Sequence, residues 1–219
     1  MIVMPGNNRG MVAGYLAGRF PGRIAHLYGI GGLARLYSFV PFALDNGRFP
    51  AWSNGKKWDE GAYIGMLDRV VDMGGRPEWL LVPDVVTEAD ETMREWDRWQ
   101  PRLARYGWPL AMAVQDGMDP DCVPEECEVV FVGGSTEWKR KTMREWCDAF
   151  DRVHIGRINT GKWLWECDEA GAESCDGTGW FRGDQAQLAQ LVRYLERSAA
   201  GAGNPRGGEL FMCESQGDK

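Results

Sequence analysis

Three aspartates and a glutamine stand where apolar runs break off along this 219-residue chain. The runs read FVPFALD to Asp45, WLLVPD to Asp84, PLAMAVQD to Gln115 and Asp116, VVFVGG to Gly133 and Gly134, RVHIGR to Arg157, and AESCDG to Asp176. Two carboxylates across a scissile glycosidic bond suit retaining chemistry: one attacks the anomeric carbon, the other moves the leaving group's proton. A further aspartate and a carboxamide supply the paired donor and acceptor edges that read a planar heterocycle. A Gly-Gly turn lets such a ring approach the backbone closely. Acids at strand ends also bind metals or cap helices, and Asp45 and Asp84 carry that second reading. Gln115 could merely satisfy backbone groups, and Gly133-Gly134 could be only a turn. Asp176, among Cys175, Gly177 and Gly179, has little local use as a cap. His154 reads as packed or backbone-bonded rather than as a ligand or base, and Asp116 and Arg157 as rim residues.

For these residues to meet, the runs must be parallel strands, whose C-terminal ends share one face. Strand-like segments fall at 24–28, 39–44, 79–82, 110–114, 129–132, 153–155 and 172–175, with a further one from 2–4 or 210–213. Stretches that can form helices alternate with them. Residues 59–72 begin at an Asp59 N-cap and carry Tyr63, Met66, Leu67 and Val70 on one side. Residues 88–105 follow Thr87 with Asp90 three positions on, approximating a capping box. Residues 136–150 carry Trp138, Trp146 and Phe150, and residues 184–198 start at Asp184 with Leu188, Leu191, Val192 and Leu195 on one stripe. The alternation implies a parallel sheet with right-handed crossovers. Seven or eight units favour a compact (β/α)8 TIM-like barrel over a doubly wound open sheet. No G-x-G-x-x-G or Walker sequence follows an early strand, which weighs against nucleotide-cofactor folds. Residues 1–200 read as a single barrel domain and 201–219 as a Gly-rich segment and tail.

The composition is that of an ordinary globular protein, 44% hydrophobic and 26% charged. No apolar run approaches the ~20 residues of a membrane span, and Met1 to Pro5 is too short for a signal h-region. Six cysteines without a C-x-x-C pair read as free thiols of a reducing compartment, so a soluble cytoplasmic protein is expected. Neither of the two histidines, His26 and His154, has finger-like spacing from a cysteine pair, so no metal site is expected. A net charge of −7 argues against a generic nucleic-acid coat. Two basic clusters, Arg94, Arg98, Arg102 and Arg105, then Lys139, Arg140, Lys141 and Arg144, read first as solvated helix faces and second as strips for a polynucleotide backbone. Among eleven tryptophans, Trp96, Trp99, Trp138 and Trp146 take helix-packing spacings. Trp52, Trp58, Trp163, Trp165 and Trp180 fall near the site loops, where one or two could stack on a base.

The order and wording of the segments add a resemblance. ALDNGRF, VPDVV, AVQDGM, FVGGS, VHIGR and GAESCDG resemble the successive active-site segments of the tRNA-guanine (queuine) transglycosylase family, above all its shorter relatives in phage and bacterial DNA deazaguanine modification. The resemblance runs from about Leu44 to Gly177. It implies a general acid/base at Asp45 (D-N-G-R-F for D-S-G-G-F), base recognition by Asp84, Gln115, Gly133 and Gly134, and a nucleophile at Asp176. It implies exchange of guanine in DNA, less so tRNA, for a 7-deazaguanine base, through a covalent intermediate and without a cofactor. Removal of a modified base by hydrolysis, or a non-catalytic base- or nucleic-acid-binding subunit, are the alternatives. The sequence departs from the family at Asn46, at Arg48 and at Ser135, so the accepted base is expected to differ. After Asp176 only Cys213 and no histidine remain, so the zinc-binding subdomain of the tRNA enzymes is expected to be missing. That loss points to a smaller footprint on DNA, or to help from a second copy or a partner subunit.

Overall fold

The computed structural model describes residues 1–6, 11–181 and 185–204. Eight parallel strands, β1 (Ile2–Pro5), β2 (His26–Tyr28), β3 (Phe42–Leu44), β4 (Leu80–Leu81), β5 (Leu110–Val114), β6 (Val129–Val132), β7 (Val153–Ile155) and β8 (Ser174–Gly177), pair in sequence order. β1 pairs with β8. The ring meets at β1 and β2, where the Val3 amide donates to the Arg23 carbonyl at 2.9 Å and the Ala25 amide to the Val3 carbonyl at 3.1 Å. The chain is a compact (β/α)8 TIM-like barrel.

Outside it lie α1 (Met11–Arg19), α2 (Arg48–Ser53), α3 (Glu60–Asp72), α4 (Ala89–Leu103), α5 (Thr136–Ala149), α6 (Gly161–Ala170) and α7 (Gln185–Ala199). Side-chain oxygens cap three of them. Asp59 accepts from the Ala62 amide at 2.9 Å, Ser135 from Trp138 and Thr160 from Trp163. The helical stripes bury Tyr63, Leu67, Trp99, Trp146 and Leu191 against the outer face of the sheet. This fits the amphipathic pattern read for α3, α4, α5 and α7.

The barrel interior is a separate cluster of Met4, Ala25, Leu27, Ala43, Trp79, Leu81, Ala111, Ala113 and Val129, with Phe131 beside it. Strand alternation explains its membership, since every second side chain points inward. Four of these residues are alanines, and the space they leave is filled by Trp79. Its ring meets Phe131 at 6.0 Å and His154 at 4.8 Å between centroids. This filled floor closes the barrel interior below its C-terminal mouth.

Several expectations need correction. β2 and β5 are not followed by α-helices: Gly29, Gly31, Gly32 and Pro41 break the first connection, and Gly117, Pro120 and Pro124 reduce the second to a short 3-10 turn at Pro120–Cys122. Thr87 does not cap α4. Its φ is 69°, Glu88 takes the cap position without a side-chain bond, and Thr92 bonds back to Val85 instead. α6, between β7 and β8, fits the expected alternation although its bounds were not read from the sequence, and it buries Trp163 and Trp165. Of the tryptophans assigned to site loops, Trp180 is also buried, Trp58 is half-buried and Trp52 is exposed. The expected Asp184 cap, the alternative strand at 210–213, Cys213 and most of the 201–219 segment lie outside the described residues. Among the described residues, no helix is long and apolar enough to cross a membrane.

Candidate functional site

Asp45, Asp84, Gln115, Gly133, Gly134 and Asp176 all line one cavity of about 490 Å³ at the C-terminal mouth of the barrel, within the size range of small-ligand sites. Strand parity brings most of them there. Asp45, Gln115, Gly133 and Asp176 each lie two residues beyond an inward-facing position (Ala43, Ala113, Phe131, Ser174), so the three side chains point the same way and the Gly133 backbone lies bare beside them. Phe49 and Phe131 supply apolar walls, and Asn46, Arg157 and Asn159 complete the polar lining.

Asp84 sits between two carboxamides. Its Oδ1 accepts from Asn46 Nδ2 at 2.8 Å and its Oδ2 from Gln115 Nε2 at 2.8 Å. Asn46 is itself buried: Nδ2 also donates to the Val82 carbonyl at 2.9 Å, and Oδ1 accepts from the Arg48 amide at 2.8 Å. Gln115 Oε1 accepts from the Thr87 and Gly134 amides, both at 3.1 Å. The carboxamide is thereby locked with its NH2 toward Asp84. Burial raises the Asp84 pKa, and the Asn46 bond, the Arg48 charge and the Gln115 bond oppose that shift. Each Asp84 oxygen retains a lone pair, and Gln115 Nε2 a second N–H, for a ligand.

The Gly133-Gly134 turn has no free amide to offer a ligand. Both amides are already engaged, Gly133 with the Val114 carbonyl at 3.0 Å and Gly134 with Gln115. What the glycines contribute is closeness. A Cβ on Gly133 would stand 3.2 Å from Gln115 Nε2, and one on Gly134, whose φ is +54°, would stand 2.4 Å from Asp116 Oδ1. Asp116 receives the Ser135 amide at 2.5 Å, so it braces the turn rather than the rim.

Asp45 and Asp176 are held differently. Among the described residues, Asp45 accepts one bond, from the Gly47 amide at 2.8 Å. Burial raises its pKa to about 7, against the lowering effect of that bond and with further raising by the charges of Asp176 and Asp84. Asp176 accepts at Oδ1 from the Arg157 amide at 2.9 Å, and the same oxygen lies 3.2 Å from His154 Nε2. Arg157 adopts φ 62°, rare for a side chain with a Cβ, which turns its amide onto the carboxylate. Its guanidinium donates to the Gly134 carbonyl and lies 4.4 Å from the Phe49 ring centroid, bracing α2 against the β6 turn. Arg157 lines the cavity and His154 is packed beneath it, as the sequence suggested, and both in addition contact Asp176. Asn46 carried the one usable signal, a polar residue beside a candidate acid.

The first basic cluster is charge-balanced at the surface, and in the second Lys141 pairs with Glu137 while Arg140 and Arg144 are exposed. Arg94 pairs with Glu91, Arg98 with Glu60 and Glu95, Arg102 with Glu60, and Arg105 with Asp68. Lys139 is buried with its ammonium donating to the Gly156 carbonyl, and burial lowers its pKa to about 8. Among the described residues no group of three His, Cys, Asp or Glu side chains is arranged to hold a metal ion. The five described cysteines are free. Burial pushes the Cys127 and Cys147 thiols up to about 11, away from reactive thiolate character.

No protein-family model matches the chain, and no curated protein sequence matches it. The barrel and the polar mouth of its cavity therefore rest on geometry alone.

Proposed function

We propose that this protein is a nucleobase transglycosylase that exchanges guanine in DNA for a 7-deazaguanine base through a covalent aspartyl-glycosyl intermediate. One observation carries the reading: two carboxylates in unlike settings, Asp176 bound by the Arg157 amide beside His154 and Asp45 with its pKa raised to about 7 by burial, face the same cavity beside an aspartate-amide cluster suited to a purine edge.

Asp176, bound through Oδ1 by the Arg157 amide, is the nucleophile toward C1′. Asp45, whose pKa of about 7 lets it exist in both protonation states near neutrality, protonates the departing guanine. It then takes the proton of the incoming base as that base attacks the sugar. The Asp84 oxygens accept from the N1–H and exocyclic amine of the purine, and Gln115 Nε2 donates to O6. Phe131 and Phe49 bound the ring. Extruding the target from a duplex costs a few kcal/mol.

The test is exchange of labelled guanine, and of a 7-cyano-7-deazaguanine precursor, into oligonucleotides. Asp176→Asn should lower exchange at least ~10³-fold, the scale of losing an essential catalytic group. Exchange at the wild-type rate in Asp176→Asn would sink the assignment.

A further inference from the structure

The Asp176 carboxylate is gripped from below by a hydrogen-bonded chain that the sequence did not suggest. β7 and β8 pair with His154 opposite Ser174. The imidazole lies between these two rungs, with Nδ1 2.8 Å from Ser174 Oγ and Nε2 3.2 Å from Asp176 Oδ1. It is completely buried, stacked on Phe131 at 4.8 Å between centroids and met edge-on by Trp79 at 4.8 Å. Ser174 is buried too, so its hydroxyl is out of a ligand's reach.

We infer that Ser174 and His154 are positioning residues that set the direction of this chain and make Oδ2 of Asp176 the attacking oxygen. An ionised carboxylate only accepts, so Nε2 carries the proton. A neutral imidazole protonated there has a bare Nδ1, which takes the Ser174 hydroxyl hydrogen. The chain therefore runs one way, from Ser174 through His154 to Asp176. Oδ1 then accepts both the Nε2–H and the Arg157 amide, and Oδ2 keeps its lone pairs toward the cavity.

The attack itself rests on the transglycosylase reading. In the first step an Oδ2 lone pair forms the bond to C1′ while the C1′–N9 bond breaks toward the base, which takes its proton from Asp45. In the second step the incoming base, losing its proton to Asp45, bonds to C1′. The C1′–Oδ2 bond breaks, and its electron pair returns to a carboxylate stabilised at Oδ1 by two preformed donors.

The tautomer can be read without any activity. The chain has two histidines, so comparison of the wild type with His26→Gln assigns the His154 ring in a long-range 1H–15N correlation spectrum. The expected pattern is a neutral ring protonated at Nε2, kept in Ser174→Ala because Asp176 still accepts, with the Nδ1 resonance shifted there by loss of the hydroxyl donor. A ring protonated at Nδ1, a doubly protonated ring, or an Nδ1 resonance unchanged by Ser174→Ala would overturn the inference. Single-turnover formation of the covalent adduct gives the second readout. His154→Phe keeps the ring stack but should slow the step ~10²-fold, the scale of one lost donor. His154→Gln restores an N–H near the Nε2 position and should recover most of the rate, with oligonucleotide affinity unchanged in both. Equal rates in wild type and His154→Phe would remove the positioning role while leaving the transglycosylase reading intact. The expected tautomer without any adduct or exchange would do the reverse.

Discussion

At the scale of single residues, the two acids differ by environment rather than by type. Asp45 is desolvated with one amide for company, and its pKa rises to about 7. A carboxyl group whose folded pKa exceeds its unfolded value stabilises the fold only while protonated. Its contribution is complete below the unfolded value of 3.8 and is lost as pH rises through about 7. Asp45→Asn removes that loss. Its melting temperature should therefore gain on the wild type between pH 5 and pH 8, and an equal offset at both pH values would contradict the burial argument. The same proton is needed for guanine departure, so kcat/KM for the oligonucleotide should fall above about pH 7. Asn46 offers another residue-scale prediction. Its amide aligns Asp84, and hydrogen bonds to a charged group contribute about 1.5–3 kcal/mol, so Asn46→Ala should weaken binding of the free base ~10- to 100-fold. Equilibrium binding of guanine measures this directly.

At the scale of elements, local chemistry and tertiary demand can be told apart by their caps. Asp59 starts α3 through a bond to the Ala62 amide, as its position before an apolar stripe suggests. Asp59→Ala should cost about 1 kcal/mol, lowering the melting temperature by roughly 2–4 °C in a domain of this size. Thermal unfolding followed by circular dichroism is the check. Thr87, read from the same kind of pattern, fails as a cap because its amide is needed elsewhere. Its left-handed backbone aims the N–H at Gln115 Oε1. Local patterning settles a helix start only where no site competes for the residue. The bounds of α6 escaped notice for a related reason. Its sequence GKWLWECDEA has apolar residues on more than one side and is buried accordingly, with Trp163, Leu164, Trp165 and Cys167 all inside, so no amphipathic period announces it.

For the molecule as a whole, one ring fills the barrel. Trp79 occupies the space left by Ala25, Ala43, Ala111 and Ala113 and supports the His154 ring. Trp79→Ala should cost about 3–5 kcal/mol, measurable by denaturant unfolding, and should loosen the nucleophile as well as the fold. Charge acts at this scale too. With a net charge of −7 and the arginines of α4 engaged by Glu60, Glu91 and Glu95, that helix has few unpaired cations to offer phosphates. Oligonucleotide affinity should therefore show a shallow salt dependence, corresponding to about two or three neutralised phosphates. A slope typical of eight or more contacts would point to a basic surface other than α4.

The alternation of apolar runs with helical stretches was enough to specify a parallel barrel, because βαβ units have few ways to pack. The runs of β5, β6 and β7 even coincide with the strands residue for residue. The candidate residues at their ends were also legible, since strand ends share a face and parity selects which side chains point inward. What only the folded structure decided is how those groups are held. Asn46 and Gln115 clamp Asp84, the Gly133-Gly134 amides are already occupied, and His154 and the Arg157 amide grip Asp176. These relations join residues 19 to 38 positions apart across different strands, through register and through a backbone turned to positive φ. Such pairings depend on three-dimensional neighbours, and hydrophobic periodicity along the chain carries no record of them.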